Sequence, residues 1–273
     1  MIETSGYNLL SPAIEMKTFL FSLFGIYLAI CLALFLLQRK VLYFPQPVSD
    51  FSSLQTNLET IRFETDGETL EGWAVNSGRP KALLYYGGNA ENIEQNIAFF
   101  QSMKLDYSFY FIPYRGYGHS SGSPSEQKIY QDALYIFDQV SPQHTQLSLM
   151  GRSLGSGVAT HVAARREVDK LILVTAYDSI ENVAKSIYWM LPISLLIKDK
   201  YRSWENASTI KAQTLLLSAG RDEVIPWART ENLIAHFSKQ KLESVIIPNA
   251  GHNDISLYPE FTLKIKTMLN SSP

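Results

Sequence analysis

Hydrophobic and polar positions along this chain fall into two regimes. From Thr18 to Leu37 the sequence reads TFLFSLFGIYLAICLALFLL, without a charged side chain. At about 1.5 Å of rise per residue this run makes a helix of roughly 30 Å, the thickness of a bilayer's hydrocarbon core. Lys17 precedes it, Gln38-Arg39-Lys40 closes it, and Tyr43 and Phe44 follow where aromatic rings favour a membrane–water interface. The run is longer than the apolar part of a cleaved signal peptide, and no A-x-A-like site follows, so a retained single-pass anchor over 18–37 is expected. Arg39 and Lys40 against Lys17 alone lean, by the positive-inside rule, towards a cytoplasmic C-terminal domain. Residues 1–17 read as a tail and 38–58 as a linker, with Pro45 and Pro47 turning the chain off the membrane.

From about residue 59 to 273 the pattern changes to short apolar runs alternating with amphipathic ones. Strands are expected at 59–65, 69–75, 82–86, 107–112, 147–150, 170–175, 214–218 and 244–248. Helices are expected at 91–103, 125–140, 154–167, 227–238 and 261–269. The later strands are apolar on both faces, as parallel strands covered by helices must be. The alternation predicts a mostly parallel, doubly wound α/β sheet, the first two strands forming an antiparallel edge because no helix separates them. Residues 178–211, with YWMLPISLLI inside, interrupt the rhythm after a central strand. They read either as a small helical cap over the carboxyl edge of the sheet, where ligands bind, or as an ordinary crossover with extra loop.

Composition narrows the chemistry. The chain has 273 residues, 46% hydrophobic and 18% charged, which suits a packed core, and its net charge of −2 offers no basic surface for nucleic acid. Cys31 is the lone cysteine and lies in the apolar run, so neither an internal disulfide nor a cysteine metal site is expected. No phosphate-loop or dinucleotide fingerprint occurs, nor a metal-ligand spacing of His and carboxylates, so no cofactor or metal is expected.

The candidate chemistry lies elsewhere. Gly151-Arg152-Ser153-Leu154-Gly155 fits G-x-S-x-G, with the strand LSLM before it and a small-residue helix after it. Glycines at 151 and 155 leave room for a sharp turn that presents Ser153, and the helix starting at Leu154 aims its N–H groups at a developing oxyanion. Serine needs a base to take its proton. His252 follows the strand SVIIP and Asp222 follows TLLLS, so both fall on loops at the same edge of the sheet, in the order Ser, Asp, His. Glu223 and Asp178 are alternative carboxylates, whereas His119, His144, His161 and His236 read as surface or packed residues. A second oxyanion donor is expected from the loop Tyr85-Tyr86-Gly87-Gly88-Asn89-Ala90, with the Asn89 N–H paired to that of Leu154.

The runs LLYYGGNAENI (83–93), PYRGYGHSSGSPSEQ (113–127), GRSLGSGVA (151–159), AGRDEVIP (219–226) and IPNAGHNDI (247–255) resemble the bud-emergence type of membrane-anchored α/β-hydrolase-domain serine hydrolases. The resemblance extends from residue 39 to the C-terminus. It implies an α/β-hydrolase fold, a triad of Ser153, Asp222 and His252, and an oxyanion loop at Gly88-Asn89. Two positions depart from the family pattern: Gly87 stands in place of a histidine and Pro113 in place of an aspartate. The missing histidine predicts a looser oxyanion loop. The expected activity is hydrolysis of an acyl ester or thioester, with small-molecule or lipid-like substrates, through an acyl-enzyme. A peptidase or amidase on the same triad, or a catalytically weak membrane-tethered binding protein, are the alternatives.

Overall fold

A computed structural model describes residues 12–48 and 57–271 of the chain. Residues 1–11 of the expected tail, residues 49–56 of the expected linker and residues 272–273 lie outside the described residues. The apolar run is helical over a longer stretch than its composition marks, as α1 (Pro12–Leu42). Helix does not need apolar residues, and nothing between Lys40 and Leu42 breaks it, so the final turn carries the basic pair Arg39 and Lys40.

Eight strands form one sheet: β1 (Leu58–Thr65), β2 (Glu68–Val75), β3 (Lys81–Tyr86), β4 (Tyr107–Phe111), β5 (Gln146–Arg152), β6 (Lys170–Val174), β7 (Gln213–Ala219) and β8 (Leu242–Ile247). Their order is β1-β2-β4-β3-β5-β6-β7-β8. β1 and β2 are antiparallel to each other, β2 is antiparallel to β4, and every later pairing is parallel. The hairpin arises because Asp66 and Gly67 both take positive φ, the twist a two-residue turn needs. β4 and β6 are buried at every position, since helices cover both faces.

On one face lie α3 (Glu126–Val140), α4 (Leu154–Ala163) and α8 (Trp227–His236), which contribute Ile129, Phe137, Val158, Val162 and Leu233 to the core. On the other face lie α2 (Ile97–Ser102) and α9 (Pro259–Asn270), through Ile97, Phe100, Phe261 and Ile265. The helix expected over 91–103 is divided, a tight 3-10 turn at Ile93–Asn96 leading into α2. Between β6 and β7 the segment folds into three short helices, α5 (Ile180–Ile187), α6 (Ile193–Leu196) and α7 (Ser203–Ala207). Ser179 caps α5 by accepting the Asn182 N–H at 3.0 Å, which satisfies one of the orphan donors of a helix start.

Helix α1 does not stand apart from this domain. Arg39 donates to Asp199 at 2.9 Å and 3.2 Å, and the Tyr43 hydroxyl meets both Asp199 and Tyr201. Gln38 donates to the Leu196 carbonyl and accepts the Lys198 N–H. The carboxylate of Glu126 reaches the same region, accepting the N–H groups of Lys200 and Tyr201.

Candidate active site

Ser153 sits between the end of β5 and the start of α4 with φ 49° and ψ −118°, a left-handed conformation that side chains disfavour. Close packing imposes it. A Cβ on Gly151 would lie 2.6 Å from the Gly155 carbonyl carbon and 2.8 Å from Ala159 Cβ. A Cβ on Gly155 would lie 2.5 Å from the Tyr86 carbonyl carbon and 2.7 Å from the Gly87 oxygen. The turn is sharp because α4 crosses directly over the ends of β3 and β5. The Ser153 N–H donates to the Val174 carbonyl at 2.9 Å, and its hydroxyl makes no cap bond to α4, which leaves the hydroxyl for another partner.

That partner is His252. The Ser153 Oγ lies 3.0 Å from His252 Nε2, and His252 Nδ1 lies 3.0 Å and 2.9 Å from the two oxygens of Asp222. A carboxylate only accepts, so the imidazole proton is on Nδ1 and Nε2 accepts from the serine. Asp222 is held in turn by the N–H groups of Val224 at 2.9 Å and Ile225 at 2.7 Å. The three residues therefore form one hydrogen-bonded chain above the carboxyl edge of the sheet, with the His252 ring buried. The alternative carboxylates are occupied elsewhere. Asp178 accepts from Ser179, Asn182, Arg229 and Asn232, and Glu223 meets the backbone N–H of His252 at 3.5 Å.

The loop 87–90 faces Ser153, and it is not loose. Tyr114 donates to the Gly87 carbonyl at 2.8 Å and Tyr117 to the Asn89 carbonyl at 2.8 Å. Both hydroxyls are pushed above the ordinary tyrosine range by burial, so they remain protonated donors. Asn89 further donates its side chain to the Leu42 carbonyl at 3.0 Å and accepts the Phe44 N–H at 3.1 Å. A side chain at 87 would run into Ile93. The bracing expected of a histidine there is supplied by two tyrosines, an asparagine and Glu91. Among the described residues the Asn89 N–H has no partner, and Leu154, at the first helical position of α4, has no intrahelical acceptor for its own.

Glu91 and Arg152 carry a role the sequence did not single out. Glu91 accepts from the Tyr85 hydroxyl at 2.8 Å, the Gly88 N–H at 2.6 Å and Asn96 at 2.8 Å, and pairs with Arg152 at 3.2 Å. Arg152 reaches on to the carbonyls of His252 and Asn253 at 3.3 Å. Burial lowers the Arg152 pKa, but the charge and hydrogen bonds of Glu91 and Tyr85 together outweigh it and the net shift is upward. This ion pair ties the loop 87–90 to the histidine loop through Arg152, the residue just before the serine of G-x-S-x-G. The only hint in the sequence is that an arginine occupies that position next to a loop containing a glutamate.

Two cavities meet at Ser153. One, of about 310 Å³, is lined by Leu34 and Leu42 of α1, Val183, Ile187 and Leu191 of the cap, and Ser153 itself. The other, of about 580 Å³, is open and polar, with Gln46, Asn92, Arg152, His252 and Asn253 around it.

No family model matches the chain. It is 32% identical over 231 residues to an uncharacterized protein of Mycobacterium tuberculosis, covering 81% of this chain and 82% of that one. It is 28% identical over 196 residues to α/β-hydrolase domain-containing protein 17B of Xenopus laevis, covering 67% and 64%. Among solved structures, an esterase of Pyrococcus furiosus superposes with a TM-score of 0.68 over 83% of this chain and 98% of that one, at 16% identity. The chain has the α/β-hydrolase fold. It also superposes on α/β-hydrolase domain-containing protein 10 from mouse with a TM-score of 0.62 at 16% identity, over 78% and 97% of the two chains. In this fold the mostly parallel sheet, the antiparallel β1–β2 edge and the placement of Ser153 after β5 are those anticipated from the sequence.

Proposed function

We propose that the protein is a membrane-anchored serine hydrolase of the bud-emergence type that cleaves acyl esters or thioesters through a covalent acyl-enzyme. The observation that carries this reading is the chain Asp222–His252–Ser153, with its serine on a strained turn at the start of α4. Ser153 Oγ attacks the acyl carbonyl while His252 Nε2 takes its proton, and the oxyanion is met by the N–H groups of Leu154 and Asn89. The imidazolium then protonates the leaving oxygen or sulfur, and Asp222 stabilises that cation while keeping Nδ1 protonated. Water, activated by the same histidine, releases the acid and restores the serine.

The apolar cavity supports an acyl substrate over a peptide, since its lining is overwhelmingly aliphatic, with Gln38, Asn89 and Ser153 among the few polar residues. Support for a retained anchor comes from α1 itself. An apolar segment of Ile14–Leu42 is long enough to cross a bilayer, and its C-terminal turn is bonded to Asp199, Leu196 and Asn89. The test is labelling by a fluorophosphonate probe together with turnover of a short-chain ester and its matched amide. Labelling and ester turnover are expected in the wild type, with both lost in Ser153→Ala. Labelling that survives this substitution overturns the assignment, and faster cleavage of the amide overturns the ester reading.

A further inference from the structure

The apolar cavity has an unusual wall. Leu34, Val41 and Leu42 belong to the same helix that is apolar enough to span a bilayer, so one side of the cavity is built from the proposed anchor. The opposite side is the cap, and the cap is bonded to α1 well below its basic end. Gln38 meets the Leu196 carbonyl, Lys198 lies 4.0 Å over the Phe35 ring, and the Tyr27 hydroxyl donates to the Met190 carbonyl at 3.1 Å. Twelve residues separate Tyr27 from Arg39, which is roughly 18 Å along the helix axis. The tip of the cap thus accompanies α1 past its basic end by more than half the roughly 30 Å of a hydrocarbon core.

The side chains at that tip match this depth. Trp189 is 80% exposed, Met190 69% and Leu195 81%, and Phe19, Phe21 and Phe24 of α1 are exposed as well. An apolar cluster of this kind on a cap facing water would be a liability, whereas against lipid it is matched. At the other end, Arg39, Lys198 and Asp199 mark the level at which polar groups return.

We infer that the cap tip and α1 are sunk together in the bilayer, and that the cavity between them takes the acyl chain of a membrane lipid ester directly from the lipid. This rests on the serine-hydrolase reading of Ser153. The acyl chain lies between α1 and the cap, its ester carbonyl reaches Ser153, and the polar part of the lipid leaves through the open cleft lined by Arg152 and Asn253. The anchor is then part of the substrate site and not a tether alone.

The full-length protein, reconstituted in phosphatidylcholine nanodiscs, provides the test. Trp189 and Leu195 do not line the cavity, so Trp189→Asp/Leu195→Asp leaves turnover of a water-soluble short-chain ester unchanged. Its turnover of an oleoyl glycerol ester held in the nanodisc is expected to fall at least tenfold. Leu34→Trp, which narrows the cavity from the anchor side, is expected to lower the ratio of oleoyl to short-chain turnover by a similar factor. Independently of activity, brominated phosphatidylcholine should quench the wild type more than Trp189→Phe.

Unchanged oleoyl turnover in the double variant, or equal quenching of the two proteins, would overturn the bilayer placement. Cleavage of an S-acylated peptide in the same nanodiscs without cleavage of the glycerol ester would overturn the substrate class. A wild type that neither takes the fluorophosphonate probe nor turns over the short ester would instead count against the serine-hydrolase reading itself.

Discussion

Gly155→Ala puts the nucleophile turn under the most direct strain. The added Cβ would sit 2.5 Å from the Tyr86 carbonyl carbon and 2.7 Å from the Gly87 oxygen, where unstrained contacts between carbon atoms are about 3.5–4.0 Å. Both obstacles are main chain, so relief requires α4 to retreat from the end of β3, or the 87–90 loop to shift, by about 1 Å. Overpacking of this kind costs about 1–3 kcal/mol, and backbone on two sides places it near the upper end. At roughly 2–4 °C per kcal/mol for a domain of this size, the melting temperature should fall by about 6–12 °C. The loop that must move carries the Asn89 N–H, and a misplacement of about 1 Å in a reacting constellation costs on the order of 10²-fold in rate. Thermal unfolding followed by circular dichroism, paired with kcat/KM for a short-chain ester well below the transition, measures both. A variant that melts within about 2 °C of wild type and keeps kcat/KM within about twofold would refute the claim that close packing dictates the turn.

Other substitutions separate the remaining roles. Asp222→Asn keeps the shape but lets the imidazole take the wrong tautomer, and kcat should drop on the order of 10⁴-fold with little change in melting temperature. Arg152→Met severs the link between the loop at Glu91 and the histidine loop; kcat is expected to fall by about 10–100-fold while KM changes little, and an unchanged kcat would show the ion pair to be incidental. Arg115 pairs with buried Asp132 at 2.6 Å, so Arg115→Met should destabilise by about 3–5 kcal/mol in urea unfolding. His161, stacked 3.6 Å from the Tyr130 ring, is lowered from 6.5 to about 3, chiefly by burial. The unfolded chain binds a proton there between those values and the folded chain does not, so stability falls as pH drops from 6.5 towards 3. His161→Phe keeps the stack and should flatten that slope in melting curves at pH 7 and pH 5.

Much of the fold was legible because parallel strands buried on both faces must be continuously apolar, as KLILV and TLLLS are. The antiparallel edge followed from the lack of any helix between ETIRFET and TLEGWAV. The chain Asp222–His252–Ser153 followed from three loops falling after three strands in the order this class of hydrolase requires. What escaped was cooperative geometry. Glu91 meets Gly88, Tyr85, Asn96 and Arg152 only because a 3-10 turn at Ile93–Asn96 folds that segment back, and amphipathic periodicity does not reveal a 3-10 turn inside a helical pattern. The looser loop expected from Gly87 was not found, because its support comes from Tyr114 and Tyr117, 27 and 28 residues further on. Helix α1 outran its apolar stretch for a related reason: Arg39 and Gln38 are helical residues with partners in the cap, which hydropathy does not register.

The pair of bonds between Asn89 and the end of α1 has a practical consequence for how this protein is produced. A soluble fragment starting just after Leu42 would remove the carbonyl that accepts the Asn89 side chain, the arginine opposite Asp199 and the four α1 residues that line the apolar cavity, Leu34, Gln38, Val41 and Leu42. Such a fragment would keep its sheet and its Ser153–His252 bond yet misreport selectivity, because the missing piece shapes the cradle and not the chemistry. Substrate profiling on trimmed protein would therefore favour small, water-soluble esters irrespective of what the intact protein prefers.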